Sequence, residues 1–269
     1  MLMKKILVTL AAVAFIVTGC TQKKPLVLYY SETGTTEAVA LELQKQLGAD
    51  IEKIEAVVPY TGNFQETIER GGREMRSGEL PELKPLKSKI AKYNVIFLGY
   101  PIWFGTYAMP IASLVKDNDF AGKTIIPFCT FGSGGLDSSS EALKQALSKA
   151  NILPGYGVRA ARVAAAEKEL DRFLKENGFK EGALEQLPDF SEQMPVTAED
   201  SIVFSDACSS YQFPLGIPVS VAKRTTDDGT DYKFIAVSRG MGGEEANVTI
   251  FVTKGTEPDA KPEFTQVVR

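Results

Sequence analysis

Six consecutive residues, Ser31-Glu32-Thr33-Gly34-Thr35-Thr36, stand out for what they could bind. They follow the apolar run Leu26-Val27-Leu28-Tyr29-Tyr30 and precede a helical pattern in which Val39, Leu43 and Leu47 recur. A tight loop between a strand and a helix N-terminus turns backbone N–H groups and hydroxyls toward an anion. The loop contains no Lys or Arg, so neutral donors alone would hold the anion. The alternative is that these hydroxyls merely cap the helix. Two further stretches invite attention. Tyr100-Pro101-Ile102-Trp103-Phe104-Gly105-Thr106-Tyr107-Ala108-Met109 carries the chain's one tryptophan, and Thr130-Phe131-Gly132-Ser133-Gly134-Gly135-Leu136 is rich in glycine.

Composition narrows the chemistry. The 269 residues include no histidine, which excludes Ser–His and Cys–His nucleophiles, histidine general bases and histidine-ligated metals. Three cysteines, Cys20, Cys129 and Cys208, cannot build a cysteine-rich zinc site. Any chemistry therefore belongs to a bound organic cofactor. A net charge of −4, with no basic run beyond the extreme N-terminus, argues against nucleic acid as a partner. At 44% hydrophobic and 24% charged residues, the chain has the means to build a sizeable core.

Alternating strands and helices must position the three loops. After the first helix, closed by Gly48, Ile51, Ile54 and Val57-Val58 suggest a second strand. Residues 59–93 are long for a plain connection and carry a polar helical stretch from Phe64 to Met75, interrupted by Gly71-Gly72. Asn94 to Tyr100 reads as a strand buried on both faces, and Pro110 opens the helix after it. Thr124 to Thr130 is the next strand, with an irregularity expected at Pro127. Ser138 and Glu141 suggest a capping box for a helix through Leu143 and Leu147. A short strand around Gly157–Ala160 and an amphipathic helix from Val163 to Leu174, stopped by Gly178, complete the pattern. Five strands alternating with helices over 26–178 predict a doubly wound α/β parallel sheet. In strand order 2-1-3-4-5 the first, third and fourth strands are neighbours. Loops 31–36, 100–109 and 130–136 then meet on one rim, where such sheets bind ligands.

The ends of the chain differ from this middle. Residues 1–20 read as a secretion signal, with Lys4-Lys5 before an apolar run from Ile6 to Val17. Val17-Thr18-Gly19-Cys20 resembles the lipobox of bacterial lipoproteins, although Val stands where Leu is commoner. That resemblance implies lipidation at Cys20 and an exported, membrane-anchored protein facing the periplasm or the cell exterior, with residues 21–25 as a tether. Residues 179–200 read as a polar linker. Residues 201–269 predict a small, mainly antiparallel β module without a helix. Its strands are expected at Ser201–Phe204, Ile217–Lys223, Tyr232–Val237 and Val248–Val252, with turns at Asp227-Asp228-Gly229 and Gly240–Gly243. Cys129 reads as an inert core thiol, and a Cys129–Cys208 disulfide is disfavoured by the burial of that strand. Glu69, Arg70, Arg73, Glu74 and Arg76 read as a solvated helix face in preference to a docking patch.

The stretch Ser31-Glu32-Thr33-Gly34-Thr35-Thr36, directly after the first strand, resembles the T/S-x-T-G-x-T phosphate loop of the flavodoxin family. The resemblance implies a flavodoxin-like fold over about 150 residues, about the usual size of one domain, and FMN as cofactor. Ser31, Thr33, Thr35 and Thr36 would bond the FMN phosphate, and Gly34 would admit the close approach of the backbone. The family flanks the isoalloxazine ring with the loops after the third and fourth strands. Here these supply Pro101, Ile102, Trp103, Phe104 and Gly105, and Thr130, Phe131, Gly132, Ser133, Gly134 and Gly135. Trp103 is expected to stack on the flavin, or else to pack against the 59–93 segment. Electron-carrier flavodoxins often crowd acidic residues around the flavin. Loops 100–109 and 130–136 contain no Asp or Glu, which argues against a strongly low potential. The implied role is electron transfer with a redox partner protein or a small-molecule acceptor. The alternatives are a flavin-dependent reductase of quinone type, and a surface binding module of the same fold without flavin.

Overall fold

The computed structural model describes residues 24–60, 64–184, 186–211, 213–239 and 244–268. The expected signal segment with Cys20, and the turn at Gly240–Gly243, lie outside these residues. Among the described residues no helix is long and apolar enough to cross a membrane.

The first domain runs β1 (Leu26–Tyr29), α1 (Thr35–Leu47), β2 (Asp50–Lys53), α2 (Phe64–Ser77), β3 (Val95–Trp103), β4 (Thr106–Tyr107), α3 (Met109–Asp117), β5 (Thr124–Phe131), α4 (Leu136–Ala146), β6 (Asn151–Ile152), β7 (Tyr156–Arg159) and α5 (Ala166–Glu176). The parallel sheet has the order β2-β1-β3-β5, with β6 and β7 sharing the outer side of β5. Counting β6 and β7 as one interrupted strand, and β4 as a hairpin extension of β3, this is the expected 2-1-3-4-5 order. The buried runs of β1, β3 and β5 alternate between two cores. Leu28, Ile96, Leu98 and Ile125 face α3 and α4 through Ile111, Leu114 and Leu143. Val27, Phe97, Ile126 and Phe128 face α1 and α5 through Val39, Leu43, Leu170 and Leu174. Helices thus cover both faces, which explains why these strands carry no polar alternation.

Two local expectations meet a different outcome, and a third is met on one side of its strand. First, α2 continues unbroken through Gly71-Gly72, and these are its buried residues. A β-carbon on Gly71 would stand 3.4 Å from the rings of both Trp103 and Phe104, so the missing side chains let the helix lie against them. Second, Ser138 and Glu141 do not form a capping box. The helix α4 begins earlier, behind Gly135 in the left-handed conformation, with no side-chain cap, and the Ser138 hydroxyl donates to the Gly105 carbonyl at 2.6 Å. Third, Pro127 leaves the pairing of β5 with β3 in register. The irregularity appears on the other side. There β6 pairs with Thr124 and Ile125, the Leu153 N–H still donates to the Ile125 carbonyl at 3.0 Å, β7 pairs from Phe128 onward, and Pro154-Gly155 bridge the gap. Proline has no N–H to offer a neighbouring strand, so the neighbour loops away at that point.

The C-terminal module comprises β8 (Met194–Pro195), α6 (Ala198–Cys208), β9 (Ile217–Thr226), β10 (Gly229–Arg239), β11 (Glu245–Gly255) and β12 (Glu263–Val268). Its strands form one antiparallel sheet of order β12-β11-β10-β9-β8. The segment expected as a linker contributes β8 and a bond from the Ser191 N–H to the Lys223 carbonyl. Ser201–Phe204, expected as a strand, lies inside α6. A capping box opens that helix: the Asp200 N–H donates to Thr197 Oγ1 at 3.2 Å and the Thr197 N–H donates to Asp200 Oδ2 at 3.1 Å. The cap and the burial of Val203, Phe204 and Ala207 against Val221, Phe234 and Ile250 override the β preference of Ile202 and Val203.

Candidate functional site

Adjacency of β1, β3 and β5 brings the three loops to one rim, at their carboxyl ends. The first loop leaves β1 with the Tyr30 N–H bonded to the Gly99 carbonyl, so its start is fixed to the centre of the sheet. Gly34 takes φ +86° as the N-cap of α1, a conformation that favours glycine, and no side chain caps the helix. The first-turn N–H groups therefore remain available, as an anion site requires. Thr33 and Thr35 hydroxyls stand 3.1 Å apart at the surface. Thr36 is buried and its hydroxyl lies 2.8 Å from that of Thr130, which ties this loop to the end of β5. Ser31 is 5% exposed, and its hydroxyl is buried with no hydrogen-bond partner. A buried hydroxyl without a partner is costly, so one beside an uncapped helix N-terminus marks a place for a polar ligand.

Glu32, the acidic member of this loop, accepts from the Tyr30 hydroxyl at 2.5 Å. Burial and then that bond push the Tyr30 phenol well above its ordinary value, so it stays a protonated donor. Tyr30 belongs to an edge-packed aromatic cluster with Tyr60 and Trp103, whose ring centroids lie 5.8 Å (Tyr30–Trp103) and 5.0 Å (Tyr60–Trp103) apart. The Tyr60 hydroxyl bonds Glu74, and the Arg70 guanidinium lies 3.8 Å from the Tyr60 ring centroid. Trp103 thus packs against α2 and the 59–93 segment, the alternative raised for it above. Arg70 also pairs with Glu74 at 2.8 Å and donates to the Val58 and Pro59 carbonyls, so it works inside its own fold.

The second loop is a two-residue hairpin between β3 and β4, with Ile102 opposite Tyr107 and Trp103 opposite Thr106. Both central residues have positive φ, Phe104 at 51° and Gly105 at 79°, which makes a type I′ turn. Phenylalanine there is strained, and its ring remains 45% exposed. The third loop is fixed from outside. The Gly132 carbonyl accepts from Arg159 Nε at 2.8 Å, and the Ser133 carbonyl accepts from the Val267 N–H at 3.2 Å. Added β-carbons would stand 2.9 Å from the Val267 carbonyl oxygen at Gly134 and 2.8 Å from Ile102 at Gly135. Close approach by neighbours therefore accounts for glycine at both positions.

Between the second and third loops lies a cleft of about 580 Å³, lined by Ile102, Phe104, Gly105, Phe131, Gly132, Ser133, Gly134, Gly135, Phe213 and Val267. Eight of these were singled out from the sequence. Phe213 and Val267 were not, and they belong to the C-terminal module. Cys129 lies buried under this rim, and burial pushes its thiol up, so it is an unreactive thiol. Cys208 is also a free thiol.

A doubly wound sheet with an anion cradle and an apolar cleft at its switch point is the arrangement of a phosphate-bearing planar cofactor. Residues 24–176, more than half of the chain, match the family model described as flavodoxin, and the chain belongs to that family. FMN is accordingly its cofactor, and the unpartnered Ser31 hydroxyl beside the uncapped helix fits the phosphate end. A solved candidate flavoprotein from Bacteroides uniformis ATCC 8492 is similar at 28% identity and TM-score 0.50, over 55% of this chain and 97% of its own. One from Bacteroides eggerthii DSM 20697 shares 29% identity at TM-score 0.49, over 58% of this chain and 99% of its own. A flavoprotein in complex with FMN from Lactobacillus acidophilus NCFM shares 18% identity at TM-score 0.48, over 56% and 97%. No curated protein matches the chain. The Bacteroides uniformis chain is nearly used up by a share of this chain the size of the first domain, so the C-terminal module is an addition to it.

Proposed function

We propose that this protein is an exported, lipid-anchored FMN protein that transfers electrons between a donor and a redox partner protein or small acceptor. The observation that carries the flavin part is the buried, unpartnered Ser31 hydroxyl at the uncapped N-terminus of α1. FMN, when bound, supplies the redox chemistry by taking up and passing on electrons. The chain's residues bind and orient it. Ser31, Thr33 and Thr35, with the first-turn N–H groups of α1, hold the phosphate by neutral donors and the helix dipole. Thr36 acts through Thr130, locking the phosphate loop to the end of β5. Ile102, Phe104 and Gly105, with Phe131, Gly132, Ser133, Gly134 and Gly135, flank the ring, and Trp103 backs them from its cluster with Tyr30 and Tyr60. Neither ring loop carries an acidic residue, so these two loops place no carboxylate of their own beside the reduced ring.

The test is an FMN titration of the purified full chain, followed by visible absorption and flavin fluorescence, and then reduction of the loaded protein. A carrier acquires its electrons from a partner and turns over slowly with NADH or NADPH and a quinone. Rapid steady-state turnover with those substrates assigns the quinone-type reductase instead. A chain that takes up no FMN ends both redox readings and leaves the binding module. The anchor rests on Cys20 following the apolar run of residues 6–17. Cys20→Ala is expected to abolish incorporation of labelled fatty acid into the protein, and absence of label from the unaltered chain removes the lipid anchor from the proposal.

A further inference from the structure

We propose that the C-terminal module is one wall of the flavin cleft, and that it holds the glycine-rich loop in its binding shape. The inference rests on the FMN reading above and extends it to residues outside the matched segment 24–176. The strand β12 is an edge of its sheet, and a bare edge offers unpaired N–H and C=O groups. Here that edge is spent on the first domain. The Val267 N–H donates to the Ser133 carbonyl, and the Phe264 carbonyl accepts from Arg159 Nη1 at 2.7 Å. The Arg159 guanidinium also lies 4.3 Å from the Phe264 ring centroid. Ahead of β9, the Tyr211 hydroxyl donates to Ser133 Oγ at 2.6 Å. The Val267 carbonyl oxygen approaches Gly134 so closely that a β-carbon there would meet it. Ser133 is thus gripped at its backbone and at its side chain by the module.

The same docking brings Phe213 and Val267 into the cleft wall, facing the space between the two ring loops. Phe213 is 60% exposed, and Phe104 in the same lining is 45% exposed. Two large aromatic side chains left open in one cleft form an apolar patch of the kind that a ligand covers. A flat aromatic ring is the occupant that such a wall fits, and the cleft belongs to the same rim as the phosphate cradle. The loop is also shaped before the ligand arrives, which spares the ordering cost of binding.

The wall acts on the ring, which FMN and riboflavin share, and leaves the phosphate alone. The test measures dissociation constants of the full chain for both flavins by quenching of flavin fluorescence, for the unaltered protein and for Phe213→Ala, Phe213→Leu and Tyr211→Phe. Phe213→Ala is expected to weaken FMN and riboflavin by the same factor, about three- to tenfold. Phe213→Leu recovers part of that loss, and Tyr211→Phe weakens both flavins by a smaller equal factor through the freed loop. Because Phe213 is largely exposed, its truncation leaves the fold intact, as an unchanged thermal midpoint verifies. Unchanged affinities in Phe213→Ala, or a loss confined to FMN, overturn the wall while leaving the FMN reading standing. Unchanged affinities in Tyr211→Phe overturn the grip on Ser133. An unaltered chain that binds neither flavin overturns the FMN reading itself, and the wall with it.

Discussion

At its phosphate end the site is one stretch of six residues, Ser31–Thr36, whereas its ring end is assembled from segments as far apart as Ile102 and Val267. The phosphate end is built from a strand, a left-handed glycine and a helix start, all supplied by local sequence, with one long-range tie from Thr36 to Thr130. The ring end needs a strained hairpin, a glycine-rich loop and the docked edge of a second sheet. Local cradles of this kind depend on backbone geometry and on a few hydroxyls. Assembled clefts depend on long-range packing, so damage to either domain reaches them. The two ends are therefore separable by experiment, using ligands with and without a phosphate.

The largest effect is expected at the phosphate end. Ser31→Ala removes a buried hydroxyl that nothing in the chain satisfies, so the folded protein loses little or gains slightly in stability. It also removes a hydrogen bond to a charged group, which weakens FMN about ten- to a hundredfold. Riboflavin binding stays unchanged, since riboflavin has no phosphate. Titration of the variant with both flavins checks this. An equal loss for both would break the separation of the two ends.

How much was legible follows the same division. The loop 31–36, the neighbouring of β1, β3 and β5, and the burial of Val95–Tyr100 could all be read because apolar runs and turn residues act over a few positions. Packing of Trp103 against the 59–93 segment was legible as an alternative, but the unbroken run of α2 was not, because Gly71-Gly72 reads as a helix interruption until the rings it accommodates are known. Phe213 and Val267 carried no local mark at all, since their place in the cleft depends on where β12 docks. In α6 a mark was present and was passed over. Thr197 and Asp200 stand at capping-box spacing, but the run Ile202-Val203-Phe204 after them suggested a strand. Conversely, Ser138 and Glu141 had the spacing without the cap, because Gly135 had already started the helix.

A smaller effect tests the strained tip of the ring end. Phe104 at φ 51° occupies a turn position that asparagine adopts readily. Phe104→Asn relieves roughly 1 kcal/mol of backbone strain, which raises the thermal midpoint by about 2–4 °C. The same change removes a cleft-lining ring, so both flavins bind a few-fold more weakly. Differential scanning calorimetry and the flavin titrations read the two effects separately. A fall in the midpoint would mean that the contact of Phe104 with α2 outweighs the strain, and that the hairpin is held by packing.

The smallest effect on flavin binding concerns the ion pair of a buried carboxyl inside the module that closes the ring end. Burial pushes the Asp200 carboxyl up, but Lys223, whose ammonium lies 2.5 Å away, and the bonds from Thr197 outweigh it and hold the carboxyl below its ordinary value. A carboxyl depressed in the folded state adds stability above the unfolded value of about 3.9, and that stability is lost as pH falls through the lower folded value. Glu37 and Asp171 of the first domain are also held low, by Lys53 and by Lys175 with Lys180, but both side chains reach solvent and their pairs are screened. Asp200 is buried, so its share of the acid dependence falls on the module. Asp200→Asn is therefore expected to lower stability at neutral pH and to flatten its decline below about pH 4. Urea midpoints measured across that range check the slope. An unchanged slope would place the acid-sensitive contacts in the first domain, and the ring end would then lose no more than the phosphate end as the pH falls.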